Sequence, residues 1–264
     1  MKSNSIVRSI AFFLLSEFYE LKYFMIYRLQ SAIWLAYAGF TSLYGLITLT
    51  VIYSVSSGIA GWSYFQILAL SATATIVLGV LYTVMNPWQM VESMRTGGMD
   101  TRLIRPYGVM TLLLSSYGEV TSVGSIVSGA AIFVYAMLHL SVTAVSFIAY
   151  MLMTAAGTVA LTLFVLMLTL LSYHLFKSAN FINRVLGILG TAGSYPLSIF
   201  GSAMLMVFTV VLPIGIASYY PPEVLFGKIS IVPYLGVMAL IIAIALVGYK
   251  GTEMLIRHYA SGGG

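Results

Sequence analysis

Apolar residues fill this chain in long stretches with almost no charge between them. Residues 29–91 carry no charged side chain, and Glu119 is the one interruption between 106 and 173. Runs of this length far exceed the ~20 residues that take an α-helix across a bilayer. They lack the short, alternating segments of a membrane barrel. The pattern predicts an all-α, polytopic membrane protein with six transmembrane helices, over 31–55, 64–85, 109–138, 142–173, 197–217 and 229–249. Gly187, Gly190, Gly193 and Pro196 interrupt the run before the fifth span, so that stretch is expected to lie at the interface. The third span is longer than a crossing needs and is expected to tilt or to begin in the interface.

Before the first span, 1–28 read as an amphipathic helix on the membrane surface. At 100° per residue Ile6, Ile10, Phe13, Leu14, Phe18, Leu21, Phe24 and Met25 share one face, with Ser5, Arg8, Ser9, Ser16, Glu20 and Lys22 opposite. Phe12 and Leu15 fall on the polar side and Glu17 on the apolar one. Six spans put both termini on one side. If that side is the cytoplasm, Lys228 is the lone cation outside among the 12 Lys+Arg, a strong positive-inside bias that predicts N-in, C-in topology. The basic balance then records topology, and nucleic acid is not expected as a partner.

A mean hydropathy of +1.00 and 7% charged residues exclude an ordinary soluble domain. With no cysteine, disulfides and thiolate metal sites are excluded as well. His139, His174 and His258 are scattered, with no paired carboxylates or H-E-x-x-H, so neither a metal site nor a catalytic group is expected. No Walker A sequence is present, so no nucleotide is expected to bind in that manner. Glu119 is the one carboxylate expected within a span. Ionisable groups at depth serve either as buried pairs or as parts of a translocation pathway, and Glu119 is a candidate for both. Tyr and Trp collect at membrane interfaces, which places Trp62, Tyr219 and Tyr220 in an outer belt and Trp88 and Tyr107 in an inner one. Ser125-x-x-x-Gly129 permits close helix approach. Ser261 to Gly264 read as a linker and are set aside.

One polar island stands out. Residues 86–107, NPWQMVESMRTGGMDTRLIRPY, hold five charged side chains, Glu92, Arg95, Asp100, Arg102 and Arg105. Pro87 suits the first turn of a short helix, and Trp88, Val91 and Arg95 recur at helical spacing. Gly97-Gly98 end that helix, Asp100 can cap the next turn, and Pro106 starts the return to the membrane. A rigid, charged helix–turn–helix connection suits docking on a soluble partner.

The island also resembles a known signature. Arg95-Thr-Gly-Gly-Met-Asp100-Thr-Arg-Leu-Ile-Arg105-Pro106 is similar to the R-x-G-x-[LM]-D-x-x-L-[LI]-R-P pattern of a six-span subgroup of ABC-2-type permeases, with one extra glycine and Met99 where leucine is common. Tyr195-Pro196-Leu197-Ser198-Ile199-Phe200, then Val211-Leu212-Pro213 and Tyr219-Tyr220-Pro221-Pro222, resemble that subgroup's fifth span and outer segment. The resemblance implies a transmembrane subunit of an ATP-binding-cassette exporter of amphipathic compounds such as drugs, antibiotics or lipid-like molecules, working by alternating access in a bacterial cytoplasmic membrane. It implies a pair of separate ATPase subunits holding ATP and Mg²⁺, and a second permease, identical or homologous. Trp88, Glu92, Arg95, Gly98, Asp100, Arg102, Arg105 and Pro106 would form the coupling site, and 1–28 a connecting elbow. Pro213, Tyr219, Tyr220 and Pro221 would belong to an outer gate over 218–229. The alternative is a transporter or channel that works without ATP, which normally requires several buried ionisable groups.

Overall fold

A computed structural model describes residues 2–55, 58–115 and 117–260; Ser261 to Gly264 lie outside them. In chain order the helices are α1 (Lys2–Ile26), α2 (Arg28–Val55), α3 (Tyr64–Val84), α4 (Pro87–Arg95), α5 (Asp100–Leu103) and α6 (Val109–Ser115). A 3₁₀ turn (Val120–Ser122) leads into α7 (Val123–Met137), followed by α8 (Ala144–Phe176) and α9 (Asn180–Gly193). A further 3₁₀ turn (Leu197–Phe200), α10 (Gly201–Met206), a π-helical stretch (Val207–Val211), α11 (Gly215–Ser218), α12 (Tyr220–Leu225) and α13 (Ile231–Arg257) complete it. Five helices are long and apolar enough to cross a membrane, and a sixth span results if the bent pair Asn180–Gly193 and Leu197–Val211 counts as one.

Helix starts follow the local chemistry. Ser63 and Gln66 form a reciprocal capping box on α3. The Thr143 hydroxyl accepts from the Ser146 amide at the start of α8. That helix ends where Lys177 takes a left-handed conformation (φ 50°) and lays its ammonium over the Tyr173 ring at 3.9 Å.

Lipid is as apolar as a leucine side chain, so spans associate through close packing at small residues rather than by escaping water. α3 and α7 meet in this way. A Cβ at Gly129 would lie 3.2 Å from the Ala72 carbonyl oxygen, and one at Gly79 would lie 2.8 Å from Ile126 Cγ1. α13 approaches α8 at Gly248, where a Cβ would fall 2.6 Å from the Leu163 carbonyl carbon. Two apolar clusters result. One reaches from the α4 end along α8 to α11 and holds Met85, Met90, Met94, Leu166, Tyr173, Ile182, Leu186 and Ile216. The other, at the far end, holds Trp62, Ile67, Phe133, Tyr150, Leu197 and Tyr219.

The structure corrects three of the expected elements. The third span is not continuous over 109–138. The helix stops at Ser115, and the candidate span begins at Val120. Gly118 weakens the helix there, and the exposed backbone pairs with the end of α3 instead. The Asn86 amide donates to the Tyr117 carbonyl at 2.6 Å and the Glu119 amide to the Tyr82 carbonyl at 3.0 Å. Second, the stretch before Pro196, expected to lie at the interface ahead of a span at 197–217, is a packed helix. It is α9, whose Ile182 and Leu186 lie in the α4-end cluster and whose Ala192 lies in the far one. Its glycines are contacts, not breaks. A Cβ at Gly193 would sit 2.8 Å from Ile214 Cγ1 and 3.1 Å from the Ser218 hydroxyl. After α9 the chain turns by 108° into Leu197–Val211. Third, α13 runs on through Arg257.

Phe12, on the polar side of α1 by periodicity, stacks on Tyr107 at 4.2 Å, while Leu14, Phe18 and Met25 stay exposed. Protein contact, as well as lipid, therefore sets the rotation of this helix. The side chains of Ser5, Ile6, Ile10, Glu17, Glu20, Leu21 and Phe24 lie outside the described residues. Trp62 and Tyr219 do not form a lipid-facing belt; each is 3% exposed, packed ring to ring at 6.0 Å inside the far cluster.

Candidate functional site

The polar island folds as two short helices anchored from beneath. Asn86 caps α4, its Oδ1 accepting from the amides of Trp88 at 3.0 Å and Gln89 at 3.2 Å, with Pro87 in the first turn. Met90, Val91 and Met94 are buried in the α4-end cluster, so one face of α4 is core. The opposite face is open, and Trp88 is 51% exposed. Two side-chain hydroxyls pin α4 further. Tyr117 donates to Ser93 Oγ at 2.9 Å, and Tyr259, from beyond α13, reaches the Met94 carbonyl at 3.4 Å.

Glu92 and Arg95 pair with one another across one turn, at 3.0 Å and 2.5 Å, and this partner holds the Glu92 carboxyl below its usual range. Gly97 ends α4 at φ 76°, a left-handed conformation that glycine adopts without a steric cost. At Gly98 a Cβ would lie 3.0 Å from Ser93 Oγ, the atom that receives the Tyr117 hydroxyl. Asp100 does not cap the second turn. It is the first residue of α5, and the cap position belongs to Met99, whose amide donates to Ser93 O and whose side chain is buried. Arg102 lies over the Tyr117 ring at 4.3 Å, which directs it to the bundle as well as outward. Arg105 and Pro106 are exposed at the bend leading to α6.

Glu119 stands at the mouth of the third span, not a third of the way along it. Its Oε2 accepts from Asn86 Nδ2 at 2.6 Å and its Oε1 from the Thr121 hydroxyl at 2.7 Å. One asparagine thus caps α4 and clasps the start of α7. The bond from Asn86 to Glu119 and the role of Tyr117 do not stand out in the sequence. The N-P pair after an apolar run is the signal that could have marked Asn86.

At the far end, α11 and α12 fold back against α8. A Cβ at Gly157 would lie 2.5 Å from the Ile216 carbonyl oxygen. Pro213 and Pro221 are buried, and Tyr220 is half-buried with its hydroxyl 3.4 Å from that of Thr209. The Tyr219 hydroxyl donates to Glu223 Oε1 at 2.6 Å. Burial pushes the Glu223 carboxyl above its ordinary value, opposed by that hydroxyl and by the Lys228 charge. Lys228 in turn donates to the Gly61 carbonyl at 2.8 Å and sits 4.8 Å from the Trp62 ring centre. Glu223 was hidden in the sequence because its neighbours, two tyrosines and two prolines, drew the reading toward an aromatic belt.

The family model described as "ABC-2 family transporter protein" matches residues 40–263. The chain belongs to this family. No curated protein and no solved structure matches it. As an ABC transporter permease, it is a multi-pass transmembrane subunit of a family that is not itself catalytic and that implies partnership with an ABC ATPase subunit. The permease brings His174 Nε2 to the His258 carbonyl at 3.2 Å, but no group of three metal-ligating side chains forms among the described residues.

Proposed function

We propose that this permease exports an amphipathic compound by alternating access, with α4 as the element through which a pair of ATPase subunits, holding ATP and Mg²⁺, drives it. The observation that carries this reading is the two-faced α4, with buried Met90, Val91 and Met94 fixed to the bundle and the Trp88 side free. A docking element must transmit displacement, and a helix keyed into the core does so where a loop would not. The cytoplasmic assignment of the α4 end, with N-in, C-in topology, is supported by the cation bias. It is supported too by the contacts that bring Phe12, Tyr107, Met94 and Tyr259 to that end. In this reading α1 is the elbow, and Glu92, Arg95, Gly98, Asp100, Arg102, Arg105 and Pro106 shape the docking surface.

Exposed apolar faces on α2 (Trp34, Phe40, Tyr44, Ile47) and on Leu197–Val211 (Phe200, Met204, Val210) fit a second permease subunit, identical or homologous. The packed segment that holds Pro213, Tyr219, Tyr220, Pro221 and Glu223 acts as the outer gate, and Glu119 acts as a clasp in preference to a pathway group. The setting is a bacterial cytoplasmic membrane.

Asp100→Ala is expected to insert normally and to lose transport-coupled ATP hydrolysis, because it removes the carboxylate that faces the partner beside Arg102 and Arg105. Because the chain has no native cysteine, Trp88→Cys gives a clean partner test. It should cross-link to the ATPase, while Met204→Cys should not. If Asp100→Ala transports at the unmodified rate and Trp88→Cys stays uncross-linked, the docking role of α4 is wrong.

A further inference from the structure

Two cavities meet on one stripe of α13. The first, about 390 Å³, lies between that helix and the start of α6, lined by Gly108, Thr111, Tyr249, Glu253 and Arg257. The absent side chain at Gly108 helps to open it, since a Cβ there would meet nothing nearer than Thr111 Oγ1 at 3.8 Å. The second, about 580 Å³, is an apolar groove between α8 and α13, walled by Ala155, Val159, Leu163, Ile242 and Leu246 and closed by Tyr249. Tyr249 therefore belongs to both. Residues 242, 246, 249, 253 and 257 follow one another at helical spacing, so the stripe passes from aliphatic through tyrosine to charged side chains over roughly 22 Å. Hydrocarbon occupies about 15 Å of each leaflet. The tyrosine sits at the polar–apolar boundary, where such rings collect.

Glu253 and Arg257 lie one turn apart, and neither forms a salt bridge among the described residues; the Glu253 carboxyl accepts a hydrogen bond from the Tyr249 hydroxyl. A carboxylate held by a tyrosine hydroxyl and a cation one helical turn further on, at the polar end of an apolar groove, match a molecule with both charges on its head and a hydrocarbon tail. We propose that this stripe is a phospholipid site for a zwitterionic phosphate–amine headgroup, in the leaflet on the α4 side. Arg257 takes the phosphate by charge-assisted hydrogen bonds. Glu253 takes the ammonium, and one acyl chain lies in the groove between α8 and α13.

Native mass spectrometry of the purified permease, with whatever subunits remain bound, tests this using phosphatidylethanolamine and phosphatidylglycerol of the same chains. The unmodified protein should retain phosphatidylethanolamine preferentially. Glu253→Gln should reduce that lipid's binding about tenfold and leave phosphatidylglycerol unchanged; Arg257→Gln should reduce both. Free phosphoethanolamine, which has no chains, should fail to displace the lipid. Three results would overturn the proposal: equal binding of the two lipids by all forms, displacement by free phosphoethanolamine or inorganic phosphate at comparable concentration, or cross-linking of Leu246→Cys to a second permease that covers the groove.

Discussion

The junction at Asn86 carries the sharpest prediction. Asn86→Ala removes two things at once: the cap on the Trp88 and Gln89 amides, and the 2.6 Å bond to Glu119. Loss of a cap costs about 1 kcal/mol. A hydrogen bond to a carboxyl oxygen contributes about 0.5–1.5 kcal/mol net, and about 1.5–3 if the acceptor is charged. Together they destabilise the start of α4 by roughly 2–4 kcal/mol, which raises its local opening by about 30-fold or more. Hydrogen exchange read on a peptide spanning 87–95, against an α8 peptide as control, should show this directly. Glu119→Gln keeps an acceptor oxygen for Asn86 and should leave exchange within about 1 kcal/mol of the unmodified protein. Asn86→Asp keeps the cap but sets a second carboxylate against Glu119, so α4 should stay protected while the amide of Glu119 exchanges faster. The reasoning fails if Asn86→Ala leaves α4 protected. It fails too if the effects of Asn86→Ala and Glu119→Ala simply add in a double-mutant cycle, since residues that share a bond must couple.

Gly157→Ala forces a Cβ to within 2.5 Å of the Ile216 carbonyl oxygen, where backbone and not a flexible side chain must yield. Overpacking of this kind costs about 1–3 kcal/mol, so thermal unfolding in detergent should shift downward; a gain of about 1 kcal/mol, which helix propensity alone gives, would show that α11 does not nest on α8. Glu223, held above its ordinary value by burial, stabilises the fold most when protonated. Its contribution is present below the unfolded carboxylate value and is lost as pH rises through the raised folded one. Unfolding temperature should therefore fall from about pH 4 toward neutrality more steeply in the unmodified protein than in Glu223→Gln, and equal slopes would remove the assignment.

Much of the architecture was legible because bilayer thickness imposes one simple constraint on length and polarity. Span two begins at Tyr64 as expected, since Ser63 and Gln66 write its start in the sequence. Span three misled for the opposite reason. Its break is stabilised by Tyr82, Met85 and Asn86, residues more than 30 positions away, and hydropathy cannot see pairing across that distance. The start of the fifth span was misplaced because glycine has two meanings. In water it ends helices, while between packed membrane helices it admits a neighbour, and Gly193 against Ile214 is the second case. The charged island was visible as a unit, and the ends of α4 follow from Asn86-Pro87 and Gly97. What could not be read was the division of labour within it. Glu92 and Arg95 satisfy each other, Arg102 leans on Tyr117, and the anchoring falls to Met90, Met94 and Met99, which composition marks only as apolar.

The grip of one asparagine on two helices has a mechanical consequence. Asn86 follows the Met85 cap of α3, starts α4 and holds Glu119 at the threshold of α7, while Gly79 and Gly129 leave no slack between α3 and α7 above it. A push on α4 is thus delivered to a yoked pair of spans that cannot slide past one another. The compliance has to lie in other joints, and the chain makes such a joint after α9, where it bends by 108°. A lever works only if its arm is stiffer than its pivot, and here a single side-chain amide sets the stiffness of the arm.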